Sequence, residues 1–176
     1  MTSSTAINLR NYIRDIPDFP KSGITFKDIT PLLADGDAFA ASVSGLACQM
    51  PGDVHAIVGI ESRGFIFGAA LAQQTGLGLI PVRKPGKLPA DVHGVDYELE
   101  YGVDRLEIHR DAVSSGHKVV IVDDLLATGG TMRATVELIH KLGAEVAACL
   151  FVVELAFLNG RKLLGNVPVH SLISYE

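Results

Sequence analysis

The chain has 176 residues, of which 48% are apolar, and it carries a formal net charge of −5. This size and apolar content suffice for one full core, so we expect a single domain over residues 1–176. The acidic balance argues against a nucleic-acid binder, because neutralising a phosphate backbone requires a cationic face. No signal-peptide pattern is found, and no apolar run reaches the roughly eighteen residues of a membrane span, so we expect a cytoplasmic protein without membrane contact.

The N-terminal part is predicted to form a helix followed by an irregular aromatic segment. The helix is expected over about residues 4–16, and Pro17 ends it. Residues 19–31 then combine two phenylalanines with several turn-forming residues. Two interpretations stay open: this segment is an irregular cover held over the core by its aromatics, or it offers backbone groups and an aromatic face to a planar ligand. A second helix is expected to run to Met50.

The first buried strand leads into a turn that carries an arginine. His55–Ile60 reads as a strand, residues 61–64 form the turn, and a helix follows over Phe65–Thr75. Arg63 would therefore stand at the carboxyl end of a strand, where open α/β sheets bind their ligands. The alternative is an ordinary surface arginine.

A basic turn follows the next predicted strand, Leu77–Val82. Arg83, Lys84 and Lys87 place three cations within five residues of an otherwise acidic chain. Such a concentration favours a local anion site, although a solvated basic turn is the simpler alternative.

Residues 88–102 are predicted to form a hairpin arm. The stretch is long and polar, and Tyr97–Tyr101 alternates apolar and acidic residues in the manner of a strand. Arms of this kind close over active sites and exclude water, so we expect this one to be mobile. Glu98 and Glu100 would share one strand face, where plain solvent exposure is the alternative to a function.

The most informative stretch is Val119–Thr131. Four β-branched residues predict a strand buried on both faces, and the acidic pair Asp123 and Asp124 follows where that strand should emerge. Ala127–Thr131 is then rich in glycine and threonine and leads into an amphipathic helix. Unpaired N–H groups at a helix N-terminus form a phosphate site, and two acids beside it suit the hydroxyls of a sugar phosphate. A strand end followed by a simple helix cap is the alternative.

The remaining elements complete an alternating pattern. Strands are expected at Glu145–Val153 and near Val169–Ile173, with a short helix at Gly160–Leu164 between them. Alternating strands and helices predict a central parallel sheet flanked by helices. The loops that follow the strands should then meet along one edge of the sheet.

The stretch Val119–Thr131 resembles the phosphoribosyl pyrophosphate (PRPP) signature of the type I phosphoribosyltransferases. Within them, the chain resembles the adenine phosphoribosyltransferases over nearly its whole length. The matching pieces are Asp18–Pro20, Gly23, Phe26–Ile29, Glu61–Phe65, Arg83–Pro89, Leu99–Gly102, Asp123–Thr131 and Ser171–Glu176.

This resemblance implies the type I phosphoribosyltransferase fold with two additions. These are a small N-terminal hood for the base, over about residues 1–34, and the flexible arm over about residues 88–102. It also implies purine salvage, in which adenine and PRPP give AMP and pyrophosphate. Mg²⁺ would be carried mainly by PRPP, with no assigned protein ligand, and the enzyme would be a homodimer.

The resemblance assigns a role to each matching residue. Ala127, Thr128, Gly129, Gly130 and Thr131 would hold the 5′-phosphate, and Asp123 and Asp124 the ribose hydroxyls. Arg63, Arg83, Lys87 and the turn residue Ser62, with its cis peptide, would serve the pyrophosphate. Thr25, Phe26 and Lys27 would contact adenine, although relatives often carry arginine in place of Lys27. Glu100 would handle the purine N7 proton, with Tyr101 beside it, and Glu61 receives no catalytic role.

Two other functions compete with adenine transfer. A transferase for a 6-oxopurine usually carries a lysine near the base, and residues 153–157 contain none. A PRPP-sensing regulator without catalysis needs an added nucleic-acid-binding module, and this chain has no spare length or basic helix for one.

Overall fold

The structure is a computed structural model that describes residues 7–99 and 102–176. These residues divide into two compact units, one ending at Gly45 and the other beginning at Leu46, so the boundary lies inside a helix. The strands and α-helices are β1 (Arg14–Ile16), β2 (Phe26–Asp28), α1 (Thr30–Ala34), α2 (Gly36–Cys48), β3 (Ala56–Ile60), α3 (Gly64–Thr75), β4 (Gly78–Val82), β5 (Val92–Leu99), β6 (Gly102–His109), β7 (Lys118–Leu126), α4 (Gly130–Lys141), β8 (Glu145–Leu155) and β9 (Val169–Tyr175). Short 3-10 helices lie at Leu9–Tyr12, Ala156–Leu158 and Gly160–Leu164.

The N-terminal unit differs from the expected long helix. In its described residues the helix is one 3-10 turn, Leu9–Tyr12, and the chain then extends into β1, which pairs antiparallel with β2. Ile16 precedes a proline, and this position disfavours the helical conformation. The pairing also places Arg14 opposite Asp28, with 2.6 Å between Nη2 and Oδ2. This ion pair and the strand pairing stabilise an extended chain where a helix was expected.

The larger unit is built on a five-stranded sheet in the order β4-β3-β7-β8-β9. Each neighbouring pair in it is parallel, as predicted. The central strand β7 is longer than expected and includes the acidic pair, because β8 continues to pair with it as far as Leu126 opposite Glu154. The sequence pattern ended this strand too early, since carboxylates are rare inside a buried strand.

Helices cover the sheet through alternating strand positions. Ala56, Val58 and Ile60 of β3 join one core cluster with the buried side of α4. The intervening Gly59 faces α3, where an added Cβ would lie 3.3 Å from the ring of Phe65. The predicted central parallel sheet flanked by helices is therefore confirmed.

The connection between β4 and β7 contains a hairpin, whereas the connections from β3 to β4 and from β7 to β8 each contain a helix. Strands β5 and β6 pair antiparallel from Val92 opposite His109 to Leu99 opposite Gly102. The base of this hairpin belongs to the core, because Val95, Tyr97, Leu106 and Ile108 are buried in the same cluster as α4. From the sequence we expected an arm over residues 88–102 and a separate strand near Leu106. In the structure the strand that contains Leu106 is β6, the second strand of the same hairpin.

Within the described residues, no helix combines the length and the apolar character that a membrane crossing requires.

Candidate active site

A cavity of about 280 Å³ opens at the carboxyl edge of the parallel sheet. The loops after β3, β4 and β7 meet there, as the alternating pattern predicted. Its lining includes many of the predicted site residues: Ser62, Arg63, Asp123, Asp124, Ala127, Thr128, Gly129, Gly130 and Thr131. Lys84, one of the three cations of the predicted anion site, also lines it, as do Tyr97, Leu106, Met132 and Phe151, which the sequence pattern did not indicate.

The stretch predicted to bind a phosphate, Ala127–Thr131, joins β7 to α4. Gly129 precedes the helix with φ of +88°, a conformation that glycine adopts without a steric penalty. No side chain caps this helix, and the first N–H groups of an α-helix have no partner within the helix. Gly130 and Thr131 open α4 at the cavity wall, so the helix end that favours anions faces the cavity.

The acidic pair lies at the end of β7 beside one arginine. Asp124 is 3% exposed, and Nε of Arg63 lies 2.9 Å from its Oδ2. Oδ1 of Asp123 accepts a hydrogen bond of 2.9 Å from the backbone N–H of Asp124. Burial raises the pKa of Asp123 well above its ordinary value, and the adjacent charge of Asp124 raises it further. Burial also raises the pKa of Asp124, although the Arg63 guanidinium opposes that rise.

The turn after β3 approaches β7 closely. A Cβ added to Gly64 would lie 2.9 Å from both Oδ1 of Asp123 and the backbone oxygen of Val122. Only glycine fits there without movement, so the start of α3 packs directly on the acidic pair. The peptide bond between Glu61 and Ser62 is cis, as the resemblance implied.

Glu61 organises the backbone and side chain of the basic turn. Its carboxylate accepts hydrogen bonds from Nε of Arg83 at 3.2 Å and from the backbone N–H of Lys84 at 3.0 Å. Burial alone would raise the pKa of Glu61, but these two donors outweigh it and the pKa is lowered. Arg83 also donates a hydrogen bond of 3.1 Å to the carbonyl oxygen of Lys87. Neither Arg83 nor the exposed Lys87 lines the cavity.

Lys84 is the cation of the basic turn that does line the cavity. Its ammonium pairs with Asp104 of β6 and lies 3.2 Å from the hydroxyl of Tyr97. Burial would lower the pKa of Lys84, but these two partners outweigh it and the pKa is raised. The cluster of three cations was the sequence signal for this residue.

The aromatic segment belongs to the N-terminal unit. Thr25 is exposed and Phe26 is half-buried, with the ring of Phe19 edge-on at 5.3 Å between centroids. Nζ of Lys27 pairs with Asp15 at 2.7 Å. The predictions for Glu100 and Tyr101 fall on residues outside those that the structure describes.

Comparisons with known proteins agree with this geometry. Residues 22–162 match the family described as phosphoribosyl transferase domain. An adenine phosphoribosyltransferase of Synechococcus sp. is 57% identical over 171 residues, which is 97% of this chain and 100% of the relative.

Solved structures give the same result. The crystal structure of adenine phosphoribosyltransferase from Thermoanaerobacter pseudethanolicus matches with a TM-score of 0.92 and 54% identity, covering 95% of this chain and 98% of that one. The enzyme from Saccharomyces cerevisiae, complexed with an iminoaltritol bisphosphate and adenine, matches with a TM-score of 0.90 and 41% identity, covering 93% and 96%. The chain belongs to the phosphoribosyltransferase family, and within it to the adenine phosphoribosyltransferases.

Proposed function

We propose that this chain is a cytoplasmic enzyme of purine salvage that transfers the 5-phosphoribosyl group from PRPP to adenine, giving AMP and pyrophosphate. One observation carries the proposal: an uncapped helix N-terminus, an acidic pair and two cations line a single cavity. The 57% identity with an adenine phosphoribosyltransferase and the adenine bound in the Saccharomyces cerevisiae structure support adenine as the base.

Binding of the phosphoribosyl group begins at the glycine-rich loop. Residues Ala127–Thr131 hold the 5′-phosphate through backbone N–H groups and threonine hydroxyls. Asp123 and Asp124 accept hydrogen bonds from the ribose hydroxyls. A carboxylate that is ionised on binding makes a stronger hydrogen bond than a neutral acceptor, so the pair fixes the sugar firmly. The result is a ribose whose C1′ is presented in one orientation.

The pyrophosphate leaves as a polyanion, and cations must stabilise it. We assign this task to Arg63, Arg83 and Lys87, and we add Lys84 because this residue lines the cavity. Nε of Arg63 lies 2.9 Å from Oδ2 of Asp124, and this ion pair holds the guanidinium at the cavity wall. Ser62 contributes through its backbone.

The base is held by the aromatic segment in this proposal. Phe26 stacks on the purine, and backbone groups of Thr25 and Lys27 read its edge. Adenine N9 then attacks C1′ as the bond to pyrophosphate breaks, and Glu100 handles the N7 proton. Tyr101 belongs to the same proposed site as Glu100, and the arm keeps water away from a cation-like sugar.

Mg²⁺ enters the proposal as part of the substrate. Among residues 7–99 and 102–176, no group of three His, Cys, Asp or Glu residues is placed to hold a metal ion. Mg²⁺ commonly binds through one or two carboxylates together with substrate phosphates, and Asp123 and Asp124 can supply the former. When bound with PRPP, the ion neutralises charge on the pyrophosphate.

A panel of bases tests the function. The protein is mixed with PRPP and Mg²⁺, and with adenine, hypoxanthine, guanine, xanthine, uracil or orotate. We expect adenine to give the fastest turnover, and faster turnover of any other base would overturn the assignment. Tight DNA binding without transfer of any base would instead favour a PRPP-sensing regulator. We also propose a homodimer, which sedimentation of the purified chain would test.

A further inference from the structure

The 3-10 helix Gly160–Leu164 lies directly against the back of the phosphate-binding loop. A Cβ added to Gly160 would overlap the carbonyl oxygen of Ala127 and would lie 3.0 Å from Cδ1 of Leu126. A Cβ added to Gly129 would lie 2.5 Å from the backbone oxygen of Gly160. Backbone therefore meets backbone at this contact, and a side chain on either glycine would force the two segments apart.

An ion pair fastens this 3-10 helix to the sheet. Nε and Nη2 of Arg161 lie 2.5 and 2.6 Å from the two carboxylate oxygens of Glu154, which is 4% exposed at the end of β8. Nη1 of Arg161 donates a hydrogen bond of 2.7 Å to the carbonyl oxygen of Val169. The hydroxyl of Ser171 donates a hydrogen bond of 2.5 Å to the carboxylate of Glu154. Such bidentate arginine–carboxylate pairs fix orientation as well as adding energy.

We infer that Gly160 and Arg161 are positioning residues for the 5′-phosphate, which hold the backbone of Ala127–Gly129 in its binding conformation before the substrate arrives. A glycine-rich loop without support loses conformational entropy when it orders around a ligand, and this loss weakens binding. Here Gly160 supports the loop from behind, and Arg161 keeps Gly160 in place. The inference rests on the proposed function only for the identity of the ligand.

Gly160→Ala tests the contact, with Gly143→Ala as the matched control. Gly143 lies beyond the opposite end of α4, and its added Cβ would lie 2.7 Å from Oγ of Ser115, so this substitution is also crowded. We expect Gly160→Ala to weaken binding of PRPP and of ribose 5-phosphate by about tenfold or more, since the loss of one hydrogen bond to a charged phosphate weakens binding by about tenfold to a hundredfold. Gly143→Ala should lower the melting temperature while changing these dissociation constants less than about threefold.

Arg161→Lys gives a second, milder test. Lysine keeps the charge but loses the bidentate contact with Glu154, so binding should weaken by less than in Gly160→Ala while the fold is retained. Calorimetric titration with ribose 5-phosphate measures binding without requiring turnover. The value of kcat at saturating PRPP should fall less than kcat/KM, because the defect lies in binding the phosphate.

The outcomes separate the inference from the function. If the wild-type protein binds neither PRPP nor ribose 5-phosphate, the proposed function and the inference both fail. If the wild type binds and transfers while folded Gly160→Ala binds equally well, the inference alone fails. Should Gly160→Ala not fold, Arg161→Lys decides, and unchanged binding in that variant overturns the inference.

Discussion

Replacement of Asp123 by asparagine should stabilise the fold at neutral pH and slow the reaction at the same time. Asp123 lies next to Asp124, and the Arg63 guanidinium is 2.9 Å from Asp124, so the second negative charge of the pair is poorly offset. Asparagine removes that charge and retains an oxygen that can accept the 2.9 Å hydrogen bond from the backbone of Asp124. The perturbation is therefore electrostatic, with little change in shape.

The sign of the pH dependence follows from the raised pKa. The native state binds the Asp123 proton more tightly than the unfolded state, whose pKa is near the ordinary 3.8. The free energy by which the ionised Asp123 carboxylate destabilises the fold is zero below pH 3.8. It grows as the pH rises and reaches its full value above the pKa of the folded state. Each pKa unit corresponds to about 1.4 kcal/mol, and a gain of about 1 kcal/mol raises the melting temperature of a chain of this size by about 2–4 °C.

Thermal unfolding of both proteins between pH 4 and pH 8 measures this effect. The advantage of Asp123→Asn should be largest at the upper end of this pH range and should shrink toward pH 4. Asp53→Asn is the control of opposite sign, because a hydrogen bond from Lys118 lowers the pKa of this exposed carboxylate. An Asp123→Asn protein that melts below the wild type at pH 7, or an advantage that does not vary with pH, would refute the reasoning.

The same variant should lose activity. A hydrogen bond between a ribose hydroxyl and a charged carboxylate is worth about 1.5–3 kcal/mol, which corresponds to a loss in kcat/KM of about tenfold to a hundredfold. Initial rates of AMP formation with limiting PRPP give this number. Stability gained together with activity lost would identify the acidic pair as a site whose charge serves the substrate rather than the fold.

Three further substitutions test neighbouring parts of the site. Gly64→Ala should cost about 1–3 kcal/mol in denaturant unfolding, because its Cβ would crowd Asp123, whereas the open position Gly78 should tolerate alanine without such crowding. Lys84→Met should raise the KM for PRPP and flatten its dependence on salt, since a cation at the cavity is removed; an unchanged KM would remove Lys84 from the pyrophosphate site. Glu100→Gln should slow turnover more than it weakens PRPP binding, and equal losses in both would contradict a proton-transfer role.

The parallel sheet could be predicted because its strands carry a strong signal. Runs such as Val119–Val122 are buried on both faces, and few other structures accommodate them. The end of β7 could not be predicted, because its continuation depends on pairing with β8, which places Asp123 opposite Phe151. The N-terminal helix was predicted from local periodicity, but cross-strand pairs such as Asp15 with Lys27 favour the extended chain.

Some parts of the candidate site could likewise be predicted from the sequence, and others could not. The predicted phosphate-binding stretch Ala127–Thr131 and the acidic pair are contiguous in sequence, so a local pattern was enough to predict that they lie together at one edge of the sheet. The cluster of basic residues was also visible, but composition does not show that Lys84 reaches the cavity while Arg83 turns to Glu61. That choice depends on Tyr97 and Asp104, which only the hairpin register brings to Lys84.

The hairpin that replaces a helix between β4 and β7 limits how this protein could be shortened. Val95, Tyr97, Leu106 and Ile108 fill the core beside α4, and Tyr97 also reaches the cavity. Trimming the β5–β6 connection to a short loop would therefore uncover apolar surface on the sheet, and it would also remove the partners of Lys84. The hairpin beside the active site also contributes side chains to the core, so we expect a variant without activity still to need the hairpin for stability.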